Sequence, residues 1–289
     1  MRNYLPLQQV IPSQCLTNHT NGAREGGMLV MDSGLGGISV VRALRQLTPD
    51  RPLHYLADTA GFPYGARAPA DITARAVGLL AALDVERNYG CVVLACNTLS
   101  TLCLEPLRAR FSCPFVGTVP AVKVAAAQAR RFTLLGTPNT VDSDYSKNLI
   151  SQFAAGCVVD RIAAPNLARM AERALLGEPV DEAALAREIA PAFVNDAHGK
   201  TQAVVLGCTH YPLLLDALQH AAPWHVEWID SSDAIARRAV SFSSAHAPEA
   251  STAIITSTAE REAYAAVFAR EGFDALTVRE HPLGVDHAV

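Results

Sequence analysis

Three observations predict an α/β fold of two similar doubly wound parallel-sheet domains, related by a pseudo-two-fold, with the active site in the cleft between them. Short apolar runs alternate with amphipathic stretches from residue 28 onward, the pattern that builds parallel sheets covered by helices. The pattern restarts midway: LVMDSG at 29–34 is answered by TLLGTP at 133–138. Each half also ends one apolar run in a cysteine, in VVLACNT at 92–98 and VVLGCTH at 204–210.

The elements follow in order. Residues 1–27 lack periodicity and end in Glu25-Gly26-Gly27, so they read as a flexible leader. A buried strand over 29–31 runs into the Gly-rich turn DSGLGG at 32–37. A helix over 38–47 follows, with Val40, Val41, Leu44 and Leu47 on one face. A strand over 54–57, a long helix over 69–89, a strand over 92–95, a helix over 102–110 and a strand over 115–117 complete the first half. The second half gives strands over 132–135, 158–162, 204–206 and 226–229. Its helices fall over 142–153, 166–176, 181–196 and 213–220, with Gly177 and Pro179 punctuating the middle pair. A helix from 232, a strand over 253–256, a helix over 261–270 and a strand over 276–278 close the chain. Residues 28–120 with 231–289 are expected to form one domain, carrying Cys96, and 121–230 the other, carrying Cys208.

Composition narrows the class. Half of the residues are hydrophobic and 18% are charged, enough apolar material for an ordinary core. A net charge of −4 gives no nucleic-acid footprint. No apolar run approaches the ~20 residues that span a bilayer, and the first residues lack the apolar stretch of a secretory signal. The seven cysteines show no CxxC pairs, so the expectation is a reduced, cytoplasmic protein with free thiols and no membrane partner. The nine histidines are scattered without HExxH or another paired spacing, and no metal site is expected.

Cys15, Cys91, Cys103, Cys113 and Cys157 read as small buried hydrophobes. Cys96 and Cys208 differ, because each stands just beyond a strand beside polar neighbours, the usual ligand position of an α/β sheet. Asn97-Thr98 and Thr209-His210 offer an amide, hydroxyls and helix-start N–H groups able to hold a carboxylate. DSGLGG lacks the Lys-Ser/Thr of a phosphate loop and departs from GxGxxG. Asp32 then reads as an acid–base or orienting residue, with Ser33 and the turn amides binding substrate. Two thiols flanking one carbon suit removal of a proton from one face and its return to the other. A free thiol, with a pKa of about 8.5, is mostly protonated at neutral pH. A helix N-terminus and a neighbouring His210 would raise the thiolate fraction.

DSGLGG, DTAGFPYG at 58–65, CNT and GCTHYPLL, in that order, resemble the aspartate/glutamate racemase superfamily, and glutamate racemases within it. GTVPAVKVAA at 117–126, Thr137 with Thr140, and DSSDAIARR at 230–238 extend the likeness over residues 28–242. The resemblance implies cofactor-independent racemisation of glutamate by a cysteine pair, supplying D-glutamate for peptidoglycan, in a homodimer. It implies that Cys96 takes the α-proton from D-glutamate and Cys208 from L-glutamate, assisted by Asp32 and His210. Ser33, Asn97, Thr98, Thr137, Thr140 and Thr209 would contact substrate, with Pro63, Tyr64 and Gly65 around its side-chain carboxylate. Asp58 and Glu172 match acidic supporting positions. The chain departs from the pattern after PYG, where Ala66-Arg67-Ala68 lacks an expected hydroxyl. Aspartate is one methylene shorter, worth only ~1–3 kcal/mol of discrimination, and remains the alternative substrate. A non-catalytic binding protein on the same fold is the alternative of another class.

Overall fold

The computed structural model describes residues 26–242 and 250–280. Residues 1–25 of the expected leader lie outside them, and Gly27, assigned to the leader by sequence, is the first residue of a strand. The strands are β1 (Gly27–Asp32), β2 (Leu53–Ala57), β3 (Tyr89–Leu94), β4 (Phe115–Gly117), β5 (Arg131–Gly136), β6 (Val158–Ala163), β7 (Asn195–Asp196), β8 (Gly199–Lys200), β9 (Ala203–Gly207), β10 (Glu227–Ile229), β11 (Thr252–Ile255) and β12 (Ala275–Val278). The helices are α1 (Ile38–Leu47), α2 (Pro69–Ala82), α3 (Val85–Asn88), α4 (Asn97–Arg110), α5 (Val122–Gln128), α6 (Pro138–Val141), α7 (Asp144–Phe153), α8 (Leu167–Leu175), α9 (Glu182–Ile189), α10 (Leu215–Ala221), α11 (Ser232–Val240) and α12 (Arg261–Arg270).

Two parallel sheets result, ordered β12-β11-β2-β1-β3-β4 and β10-β9-β5-β6. Read from its first strand, the second sheet repeats the arrangement of the first: β6-β5-β9-β10 corresponds to β2-β1-β3-β4. The strand order therefore reverses at β1/β3 in one sheet and at β5/β9 in the other. Crevices outside the carboxyl ends of the strands at such reversals are where open α/β sheets bind ligands. Cys96 follows β3 and Cys208 follows β9, so the two cysteines occupy corresponding positions.

Alternation along the strands divides each core into two layers. Met28 and Val30 pack with α1, α11 and α12, whereas Leu29 and Met31 pack with α2 and α4. In the second sheet Val204 and Leu206 face α8, α9 and α10, and Ala203 and Val205 face α5 and α7. Both faces of the central strands β1, β3, β5 and β9 are covered, and these strands are buried along their whole length.

Several boundaries correct the sequence reading. The helix predicted over 69–89 stops at Ala82, because Asp84 takes a left-handed conformation with φ 47° and Tyr89 already begins β3. Asp tolerates that region better than most side chains. The helix predicted over 181–196 ends at Ile189 before Pro191, and β7 and β8 form an antiparallel hairpin with Gly199 at φ 103°. α4 begins at Asn97, five residues before its predicted start at 102, since Cys96 caps it. The stretch 136–140 holds a one-turn helix, α6, and α5 was absent from the predicted elements.

Candidate active site

The two switch points meet across the halves through hydrogen-bonding side chains. Asp32, the last residue of β1, accepts from the Gly34 N–H at 2.9 Å and the Ser33 hydroxyl at 3.3 Å through Oδ1. Its Oδ2 accepts from the Thr209 hydroxyl at 2.9 Å, next to Cys208. Thr98, Thr137 and Thr140 bring three buried hydroxyls together, with Thr98–Thr137 at 2.9 Å and Thr137–Thr140 at 3.0 Å. Asn97 adds an amide whose Nδ2 is buried without a partner among the described residues. An unmatched buried donor costs about 1–3 kcal/mol, so this position favours a ligand with an acceptor oxygen.

Each cysteine has its own surroundings. Cys96 is the N-cap of α4 in extended conformation, and its Sγ accepts from the Leu99 N–H at 3.5 Å. Burial pushes its thiol well above the usual range, and the negative charge of Asp32 adds to that. The Leu99 and Thr98 amides oppose the shift, and Cys208 is near enough for its charge to act on this thiol. Cys208 follows Gly207 and leads into a single 3-10 turn over Tyr211–Leu214. Its Sγ lies 3.9 Å from Nδ1 of His210.

His210 is the link between Cys208 and a buried acid. Its Nε2 is 2.8 Å from Oε2 of Glu172, which also accepts from the Leu35 N–H at 2.8 Å. The other oxygen, Oε1, accepts from the Tyr264 hydroxyl at 2.5 Å. Burial opposes charge on the imidazole, yet bonds to Cys208 and Glu172, with the Asp32 and Glu172 charges, hold it well above its usual value. Asp32 is also raised, chiefly by burial, with His210, Gly34 and Thr209 offsetting part of the shift.

The glycines of DSGLGG are required by this packing. A Cβ at Gly34 would lie 2.6 Å from Oε1 of Glu172, and one at Gly36 would fall on the His210 ring, 2.8 Å from Cγ. The turn backbone thus lies directly against the His210–Glu172 pair. Two of its amides, expected from sequence to bind substrate, are committed elsewhere: Gly34 N–H to Asp32 and Leu35 N–H to Glu172.

Tyr64 is also committed. Its hydroxyl donates to Asp58 Oδ2 at 2.6 Å, so the hydroxyl is not free for a substrate carboxylate. Asp58 Oδ1 accepts from Arg75 and Thr256, both at 2.7 Å, and its Oδ2 accepts from Arg75 Nε at 2.8 Å. Burial resists its ionisation, but Arg75 and the two hydroxyls hold the carboxyl below the usual carboxylate range. The 63–65 segment still reaches the other half: a Cβ at Gly65 would sit 2.8 Å from the Thr137 Cβ, and Asn139 Nδ2 donates to the carbonyls of Tyr64 and Arg67. Pro63 precedes the 3-10 turn over Tyr64–Ala66.

Sequence reasoning missed Arg75, Asn139, Tyr264 and Phe62, whose ring centroid is 5.4 Å from that of His210. One signal was available for Glu172. On α8 it shares the buried face with Leu167, Ala168 and Ala171, and an acid on an apolar stripe requires a partner. Among the described residues, no group of three or more His, Cys, Asp or Glu side chains is arranged to hold a metal ion. No helix among them is long and apolar enough to cross a membrane.

Residues 29–239 match the Asp/Glu/hydantoin racemase family. The chain belongs to that family. It is accordingly a racemase-type isomerase. Family relatives include the Brucella anthropi glutamate racemase, 46% identical over 220 residues, covering 75% of this chain and 79% of that one. The Agrobacterium fabrum glutamate racemase is 45% identical over 215 residues, covering 73% and 79%. The crystal structure of Escherichia coli glutamate racemase with L-glutamate and the activator UDP-MurNAc-Ala superposes with a TM-score of 0.82. It is 35% identical and is matched over 89% of this chain and 99% of that one. The two-sheet architecture is that of these racemase structures.

Proposed function

We propose that this chain interconverts L- and D-glutamate without a cofactor, with Cys96 and Cys208 acting as opposed acid–base groups. The observation that carries the reading is the placement of these two cysteines after corresponding strands, β3 and β9, at the switch points of two sheets with the same strand order. The relatives named as glutamate racemases support the substrate.

In the direction from L-glutamate, the Cys208 thiolate removes the α-proton and the Cys96 thiol delivers a proton to the opposite face. The reverse direction exchanges the roles. The electron pair left on the α-carbon delocalises into the adjacent carboxylate, whose developing charge needs fixed donors. The Asn97 amide and the hydroxyls of Thr98, Thr137 and Thr140 are the candidates; the hydroxyls of Thr209 and Ser33, expected from sequence to bind substrate, are donated to Asp32. The raised Cys96 thiol suits the protonated partner of this first half-reaction. His210, held protonated by Glu172, places a donor at the Cys208 sulfur. Asp32 spans the halves through Thr209, and its carboxylate is suited to the substrate ammonium.

Residues 28–120 with 231–289, and 121–230, are taken as the two domains, with the Gly65 N–H offered to the substrate's distal carboxylate and Pro63 beside it. The reading places the enzyme in the cytoplasm, as a homodimer supplying D-glutamate for peptidoglycan. The test is incubation of purified protein with each enantiomer of glutamate and of aspartate, without pyridoxal phosphate, followed by chiral chromatography. The expected result is conversion of both glutamate enantiomers at far higher kcat/KM than aspartate. No conversion of glutamate would overturn the proposal, and a preference for aspartate would reassign the substrate.

A further inference from the structure

The strand–helix–strand unit at the end of the described chain lies outside the 29–239 stretch that carries the family pattern. It nevertheless supplies hydroxyls to both buried acids flanking the site. Thr256, just after β11, donates to Asp58 at 2.7 Å, and Tyr264 of α12 donates to Glu172 Oε1 at 2.5 Å. Tyr264 is 4% exposed and shares its helix face with Val267 and Phe268, in the layer formed with α1 and α11. From that layer its hydroxyl reaches α8 of the other half. The connected series runs Tyr264, Glu172, His210, Cys208, with separations of 2.5, 2.8 and 3.9 Å.

We propose that Tyr264 is a positioning residue for the Cys208 half of the reaction, fixing the Glu172 carboxylate so that its other oxygen holds the His210 ring against the Cys208 sulfur. This inference rests on the racemase reading above. Among the described residues Glu172 has three donors: Leu35 N–H and the imidazole on Oε2, and the phenol on Oε1. A carboxylate with one oxygen unbound can turn about its terminal bond, and both donors on Oε2 would then lose alignment. Among the described residues, the charged and titratable groups that act on this pair are Asp32 at the end of β1, Tyr55 of β2, Cys208 after β9 and Tyr264 of α12, with Glu260 at the start of α12 acting on Tyr264. Among them the phenol of Tyr264 is the donor to Oε1. The Tyr55 hydroxyl donates instead to the Gly34 carbonyl at 2.8 Å.

Tyr264→Phe keeps the ring and removes only the hydroxyl. Val267→Ala loosens the same buried helix face and keeps the hydroxyl, so it reports the cost of perturbing α12 itself. Two measurements are needed: kcat and KM for both glutamate enantiomers across pH, and the pH titration of the His210 ring nitrogens by NMR of protein labelled with 15N-histidine. The expected result for Tyr264→Phe is a kcat lower by about tenfold, the loss of one charge-assisted bond, at little changed KM. Its His210 ring should titrate at lower pH than in the wild type, because the carboxylate that is no longer fixed holds the imidazolium less well. Val267→Ala should leave the ring titration in place. An unshifted His210 titration in Tyr264→Phe, or an equal shift in Val267→Ala, would overturn the assignment. Absence of glutamate turnover in the wild type would instead defeat the racemase reading, while the NMR titration still reports on Tyr264.

Discussion

His210 Nε2 stands 2.8 Å from Glu172 Oε2, and both side chains are only 3% exposed. The two residues come from different elements, His210 from the turn after β9 and Glu172 from the middle of α8. The pair accounts for an imidazole that stays protonated although buried, because the adjacent carboxylate and the Cys208 sulfur outweigh desolvation. Glu172→Gln removes that charge and keeps the shape. It should lower kcat by roughly tenfold to a hundredfold, the range for a hydrogen bond to a charged group, with the substrate KM nearly unchanged. Steady-state kinetics on both enantiomers check this.

The same pair has a signature in stability. The folded state raises the His210 value above its unfolded one, so the folded protein binds the proton more tightly. This contribution is present in full below about pH 6.5 and is lost as the pH rises through the folded-state value. Urea denaturation across alkaline pH should show a decline in midpoint, part of which disappears in His210→Gln.

Gly36→Ala places a methyl against the buried His210 ring, which cannot swing aside without giving up its bond to Glu172. Overpacking of this kind costs about 1–3 kcal/mol, measurable as a lower urea midpoint. The displaced imidazole should cost activity beyond what the stability loss explains, which comparison of kcat at a temperature well below unfolding would reveal.

The Asp58–Arg75 pair is buried on both sides, with side-chain exposures of 0% and 5%. Removing one partner leaves an uncompensated buried charge, so Arg75→Met should destabilise the fold by about 3–5 kcal/mol. Asp58 is held below its unfolded value, so its contribution is present above about pH 4 and is lost as the pH falls through its folded-state value. Acid unfolding of Asp58→Asn should lack that component.

Much of this architecture was legible in the chain. VVLAC and VVLGC are local signals, since a buried strand followed by a cysteine and polar residues needs no distant information to be recognised. The DSGLGG turn was legible as a tight turn, but its reason was not: the Gly34 and Gly36 backbones must approach Glu172 and His210, which lie far along the sequence. Tyr264 was hidden in a different way. With Val267 and Phe268 it makes an ordinary apolar helix face, and its bond to Glu172 spans 92 residues. The ends of α2 and α9 were misplaced because amphipathic periodicity continues past Asp84 and Pro191, where backbone conformation ends each helix.

Cys96→Ser and Cys208→Ser should each lower kcat by about 100- to 10,000-fold, the contribution of a positioned acid–base group. Circular dichroism of each variant would verify that the fold is retained. Full activity in either would remove that thiol from the mechanism.

The central claim is that two different thiols serve the two faces of one carbon. It is tested most directly by starting from protiated L-glutamate in D2O and following the α-position of both enantiomers by mass spectrometry before equilibrium. The account predicts that the D-glutamate formed carries deuterium while the remaining L-glutamate keeps its hydrogen, because the proton returned comes from the solvent-exchanged Cys96. D-glutamate retaining the original hydrogen, or L-glutamate exchanging as fast as D-glutamate appears, would mean one base serves both faces and would contradict it.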